Sequence, residues 1–169
     1  MDFEVRTARV DDAQPIARVQ VESWRTTYAG IVPDEYLQSL DAEVRARSWT
    51  EQLDAGKMTA FVAEDTAGIF GFVCGGALRD AAHSSESELY AIYLLREHQR
   101  RGAGRRLALS LASALRAEGF KSMAVWVLEQ NYPAINFYRS LGAVQFAQKP
   151  IEIGGVLLTE LAFRWPSLD

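Results

Sequence analysis

The chain has 169 residues, 49% of them hydrophobic and 24% charged, and a net charge of −4. That length suits one domain, residues 1–169, with a substantial core. The acidic balance, with basic residues crowded at one loop instead of along a face, argues against a nucleic-acid partner, and the apolar runs are too short to span a bilayer.

In chain order, Phe3 to Arg9 alternates as a first strand. Asp11 or Asp12 then caps a helix running toward Trp24, with Ile16, Ala17, Val21 and Trp24 on its buried side; Gln20 interrupts that stripe, so its amide needs a partner. Pro33 and Asp34 open a short helix through Leu40, and Ala42 to Leu53 has helical spacing with Val44 and Trp49. Thr59 to Glu64 and Ile69 to Leu78 read as an antiparallel pair around the turn Asp65 to Gly68. Ser87 to Leu94 is a further strand, and a helix from about Gly104 to Glu118 buries Leu107, Ala108, Leu111, Ala112 and Leu115. The next strand, Lys121 to Leu128, must run parallel to the one before that helix, because a helical crossover joins them. A last pair, Ala143 to Lys149 and Val156 to Phe163, turns near Gly154-Gly155. The order predicts an α/β fold, a mixed central sheet flanked by helices, antiparallel early, parallel at the centre and antiparallel again at the end.

Cys74 is the only cysteine and lies in the apolar run Phe72-Val73-Cys74, which reads as core instead of nucleophile. His83 and His98 stand apart and no ligand spacing is present, so no metal is expected. Met1 to Glu4 lacks the basic start and apolar stretch of a secretion signal, which makes the cytoplasm the expected location.

Two segments carry chemistry. Gln99-Arg100-Arg101-Gly102-Ala103-Gly104 leads from a strand directly into an amphipathic helix. Gly102 and Gly104 allow a tight turn with open N–H groups, the helix adds its positive end, and Arg96, Arg100, Arg101, Arg105 and Arg106 surround it with positive charge, as phosphate binding requires. Neither Lys-Ser nor Lys-Thr follows the glycines, and Leu107 stands where a dinucleotide fingerprint has its third glycine. A plain glycine turn with solvated arginines is the alternative. About thirty residues on, Pro133 and Gly142 bracket a short helix that sets Ala134, Phe137, Tyr138 and Leu141 on one face, with Asn131 just before it.

The pair QRRGAG and NYPAINFYRSLGA, in this order and separation, resembles the GNAT superfamily of N-acetyltransferases over most of the chain. The resemblance implies that Gln99, Gly102 and Gly104, with Arg100, Arg101, Ala103 and Arg105, hold the pyrophosphate of acetyl-CoA. It implies that Asn131, Ala134, Phe137 and Tyr138 lie along the pantetheine and acetyl group. The central parallel strands, Glu88 to Leu94 and Ser122 to Leu128, would splay where one carries a bulge. Pantetheine amides would then meet backbone groups at Ile92 and Leu94 or their neighbour Tyr93. Tyr138 resembles the family tyrosine near the thioester sulfur, a proton donor, and Glu88 the acidic position that serves as base; a solvated strand-end carboxylate is the other reading of Glu88. Glu22 and Glu64 are weaker base candidates.

The segment W-x-x-x-Y-x-G-I-x-P, from Trp24 to Pro33, is similar to one that borders the acceptor pocket in a bacterial branch of the family, which makes Trp24 and Tyr28 candidate walls. Equally, Trp24, Tyr28, Tyr36 and Trp49 could join helices to sheet. The expected activity is transfer of acetyl from acetyl-CoA to a primary amine of a small molecule or peptide, by direct attack in a ternary complex. The alternatives are a catalytically silent CoA-binding or sensing module, an N-acetyltransferase acting on a protein N-terminus, and a structural protein with the terminal strand and Trp165 as its interface. A homodimer through that end is compatible with catalysis.

Overall fold

The computed structural model describes residues 2–79 and 86–169. Strand β1 (Glu4–Thr7) is followed by a 3-10 turn and helices α1 (Ala13–Thr27), α2 (Asp34–Ser39) and α3 (Ala42–Ala55). Strands β2 (Thr59–Asp65), β3 (Gly68–Ala77) and β4 (Glu86–Leu94) come next, then α4 (Ala103–Ala117), β5 (Ser122–Leu128), α5 (Tyr132–Ser140), β6 (Val144–Ile153) and β7 (Val156–Trp165). They form a seven-stranded sheet in the order β1-β2-β3-β4-β5-β7-β6, in which β4 and β5 pair parallel and the other neighbours antiparallel. The predicted mixed sheet and its central parallel pair are therefore present.

Helices cover both faces. Phe72 of β3 packs edge-on against Trp49 of α3 at 5.2 Å. A side chain at its neighbour Gly71 would instead touch Leu94, which in turn abuts Gly104 of α4. Because successive strand residues face opposite ways, α1 and α3 lie on one face and α4 on the other. The buried core runs between them, through Ile16, Val19, Val62, Phe72, Leu89, Leu107, Leu111 and Leu115.

Local reasons explain where the elements depart from the sequence pattern. Asp12 precedes α1 without capping it by its side chain; its carboxylate accepts from both Arg6 nitrogens at 2.8 and 3.0 Å and from the Arg9 N–H at 2.7 Å. Gln20 finds its partner across the α1–α3 contact, where the Trp49 indole N–H donates to it at 2.8 Å. Val44 is exposed, since only Ala46 and Trp49 of α3 are buried. β6 continues through Pro150 because it is an edge strand, where a missing N–H can face solvent. On α5 the buried positions are Ile135 and Tyr138. Trp165 is no interface residue: it is buried edge-on against Tyr138 at 5.9 Å and donates its N–H to the Leu141 carbonyl at 3.0 Å. Cys74 is buried, with its thiol pushed up to about 12 by desolvation, as a core residue should be. His83 lies outside the described residues. Among the described residues no helix is long and apolar enough to cross a membrane.

Candidate active site

The parallel pairing of β4 and β5 runs only from Glu86↔Ser122 to Leu89↔Val125. On the other side of β4 the register slips, Cys74 facing Ala91 and Gly75 facing Leu89, which leaves Tyr90 as an extra residue. Gly75 makes this possible, since a Cβ there would stand 2.5 Å from the Glu88 carbonyl. Beyond the bulge β4 and β5 part, and the slot between them is the predicted splay. Its β4 wall carries Ile92, Tyr93 and Leu94, and α5 stands beyond its β5 end.

One end of the slot is the arginine-glycine loop. After β4 the chain makes a 3-10 turn at Arg96–His98, and Gln99 donates its side-chain amide to the Leu94 carbonyl at 3.1 Å. His98 stacks on Phe70 at 4.3 Å and meets Asp65 at 3.2 Å, tying the turn to the β2–β3 corner. Arg100 and Gly102 then take left-handed φ values of 64° and 85°. Gly102 is the N-cap of α4 and offers no side-chain bond, and no acidic residue stands in the first turn. The N–H groups of Ala103, Gly104 and Arg105 thus open α4 with its positive end uncompensated, the arrangement that suits a phosphate. Arg100, Arg101 and Arg105 are exposed around it. Arg106 is used otherwise, donating to the Phe3 carbonyl at 3.1 Å with its guanidinium 4.6 Å from the Phe3 ring centroid.

The two sequence motifs meet here. A Cβ on Gly104 would lie 3.4 Å from Phe137 of α5, so the first turn of α4 and the middle of α5 share one wall. Asn131 caps α5 by accepting from the Ala134 N–H at 3.3 Å, and Pro133 sits in the first turn. Tyr138, one turn further, is buried; desolvation raises its pKa above 10, the Tyr28 oxygen adding to the effect, so the phenol stays protonated. Tyr28 joins the end of α1 to β4. Its hydroxyl lies 2.9 Å from that of Tyr93 on β4, the Asn131 side chain approaches the same oxygen, and Trp24 packs against its ring at 4.5 Å. Burial raises the pKa of Tyr28 and, more strongly, of Tyr93.

The carboxylates are placed as follows. Glu88 is 2% exposed and bound by Arg79, whose Nε donates to its two oxygens at 3.3 and 3.2 Å, whose Nη2 donates to Oε2, and whose backbone N–H reaches Oε1 at 3.3 Å. This rules out the solvated strand-end reading. The Arg79 guanidinium lies 4.6 Å from the Tyr90 ring centroid. Glu64 is held by Arg6 at 2.7 and 3.0 Å on the β1–β2 side of the sheet, away from the slot, and Glu22 is exposed on α1. Sequence reasoning missed Glu160. It faces Leu128, the last residue of β5, across the β5–β7 pairing, and shares its face with Leu158, which packs with Tyr28 and Val32. Desolvation raises the Glu160 carboxyl above its usual range, opposed by Lys149 at 3.6 Å. The alternation of Leu158-Thr159-Glu160-Leu161-Ala162 marks which residues share a face, but not that this face meets Lys149, Arg79 and Glu88. Among the described residues no group of side chains could hold a metal ion.

The model of the acetyltransferase (GNAT) family matches residues 19–143. The uncharacterized N-acetyltransferase YuaI of Bacillus subtilis is 45% identical over 166 residues, 98% of this chain and 94% of that one. The spermidine N(1)-acetyltransferase of Thermoplasma acidophilum is 29% identical over 153 residues, 84% of this chain and 88% of that one. Among solved structures, a phosphinothricin acetyltransferase from Sinorhizobium meliloti in complex with acetyl-CoA superposes with a TM-score of 0.78 at 22% identity, covering 99% of this chain and 89% of the other, a likeness of fold.

Proposed function

Because the chain belongs to the acetyltransferase (GNAT) family, we propose that it transfers an acetyl group from acetyl-CoA to a primary amine of a small molecule or peptide. The observation that carries the reading is the uncapped N-terminus of α4, with Phe137 of the Tyr138-bearing helix α5 packed against its first turn. The residues fit the cosubstrate. The N–H groups of Ala103, Gly104 and Arg105, with Arg100 and Arg101, suit the diphosphate. The reach of β4 at Ile92, Tyr93 and Leu94, paired with β3 but no longer with β5, suits the pantetheine amides, with Asn131, Ala134 and Phe137 opposite. When bound, acetyl-CoA supplies an activated thioester.

The chain's own groups do the rest. An alkylamine with a pKa of about 10.4 is uncharged roughly once in two thousand molecules at pH 7, a cost on the order of 4 to 5 kcal/mol that a base must offset. Tyr138 keeps its proton at neutral pH, and its raised pKa makes full transfer to a thiolate uphill in the free protein, so it acts by donating a hydrogen bond as charge reaches sulfur. Cys74, buried and with its thiol at about 12, is unsuited to carry an acyl group, which favours direct attack in a ternary complex. Tyr28 and Trp24 brace the acceptor side of the slot.

The test is turnover of acetyl-CoA with a panel of polyamines, amino acids, aminoglycosides and peptides, following thiol release and identifying the acetylated product by mass spectrometry. Amine-dependent release with one class is expected. Tight acetyl-CoA binding with no amine-dependent release across the panel would instead mean a silent CoA-binding module.

A further inference from the structure

Two carboxylates lie on one face of the sheet, Glu88 beside Ala124 within the β4–β5 pairing and Glu160 beside Leu128 past its end, and their surroundings differ. Glu88 on β4 is buried with both oxygens engaged by Arg79, so an incoming ammonium would have to displace that guanidinium. Glu160 on β7 stands opposite the end of β5, with the Lys149 ammonium 3.6 Å away and that ammonium 4.1 Å from the Trp126 ring centroid. The charged groups facing it are Lys149 from β6, Arg79 from the segment after β3 and Glu88 from β4. Desolvation together with Glu88 outweighs the two cations, and its carboxyl sits above the ordinary carboxylate range.

We propose that Glu160 is the group that takes the proton from the acceptor ammonium, with Glu88 and Arg79 acting as a positioning pair beside Tyr90. The proposal rests on the acetyltransferase reading. R–NH3+ and the Glu160 carboxylate give R–NH2 and the carboxylic acid, which returns its proton to solvent. The nitrogen lone pair forms the C–N bond as the C–S electron pair moves to sulfur, where the Tyr138 hydrogen bond meets it; the second nitrogen proton leaves to solvent and the thiolate takes up one proton from solvent. The products are the amide, the free thiol and one solvent proton. A carboxyl raised toward the amine's pKa is a better acceptor than an ordinary one, because the proton moves less far uphill.

The experiment is the pH dependence of kcat/KM, with an amine that the parent turns over, for the parent, Glu160→Gln, Glu88→Gln and Lys149→Met. An acetyl-CoA thermal shift reports the fold of each. Glu160→Gln is expected to lower kcat on the order of 100-fold and to abolish the acidic limb of kcat/KM. Lys149→Met, by removing a cation that favours the charged carboxylate, is expected to move that limb to higher pH. A Glu160→Gln protein that keeps the limb, with turnover intact or lowered evenly at every pH, overturns the proposal and leaves the acetyltransferase reading standing. So does a limb that Lys149→Met leaves in place and Glu88→Gln removes. A parent that binds acetyl-CoA and acetylates no amine overturns that reading and the proposal with it.

Discussion

Burial keeps the Tyr138 proton on oxygen well above neutral pH, so the role proposed for the side chain is to donate that proton's hydrogen bond, which phenylalanine cannot do. Tyr138→Phe is therefore expected to reduce kcat by about 100-fold while leaving the acetyl-CoA dissociation constant unchanged, measured by steady-state kinetics and titration. Equal turnover at every pH would remove the donor role. Gly102 stands at φ 85°, where a β-branched side chain is strained by about 1 to 3 kcal/mol. Gly102→Val should weaken acetyl-CoA binding at least tenfold with the fold retained; an unchanged affinity would contradict the phosphate-loop assignment. Gly102 and Gly104 are legible in the sequence because a positive φ at the one and a close approach of Leu94 and Phe137 at the other call for glycine. Glu88 is half legible: its position is, but its partner Arg79 lies nine residues back across a strand connection, a distance that no short motif spans. Glu160 is hidden in a plain alternating strand, and its surroundings come from the segment after β3, from β4 and from β6.

At the scale of elements, alternation, helical periodicity and the crossover rule place the strands and helices and make β4 and β5 parallel. The bulge at Tyr90 leaves no mark in composition, because one slipped residue changes a register and not a pattern. The start of α1 shows a competition that sequence alone does not decide: Asp12 suits an N-cap, but Arg6 on β1 binds its carboxylate twice, and β1 and α1 are joined through that pair. The Arg6 guanidinium holds the Asp12 carboxyl below its ordinary value of 3.8. A carboxyl with a depressed folded pKa contributes stability that is fully present above the unfolded value and is lost as pH falls through the folded one. Asp12→Asn should thus cost about 2 kcal/mol at pH 7, and its difference from the parent should shrink in denaturant titrations as pH falls below 3.8. Gln20→Leu should cost about 1 to 3 kcal/mol by leaving the Trp49 N–H unpaired in the α1–α3 contact, with acetyl-CoA affinity unaffected.

Across the whole molecule, the arginine-glycine loop and the tyrosine helix follow successive strands of the parallel pair and so emerge at the same edge of the sheet. That topology brings Phe137 against Gly104, though the two are 33 residues apart in the chain (137 − 104). Pairing that ends at Leu89 and Val125 leaves the room between them. Binding of acetyl-CoA at this junction is tested most directly by a thermal-shift titration of the purified protein with acetyl-CoA, with adenosine diphosphate as control. At about one hundred times the dissociation constant a specific ligand adds roughly 2.7 kcal/mol, which for a domain of this size raises the melting midpoint by about 5 to 10 °C. The account predicts a saturable rise of that order, well beyond the control. No rise at millimolar acetyl-CoA would make the loop a structural turn and contradict the account at its base.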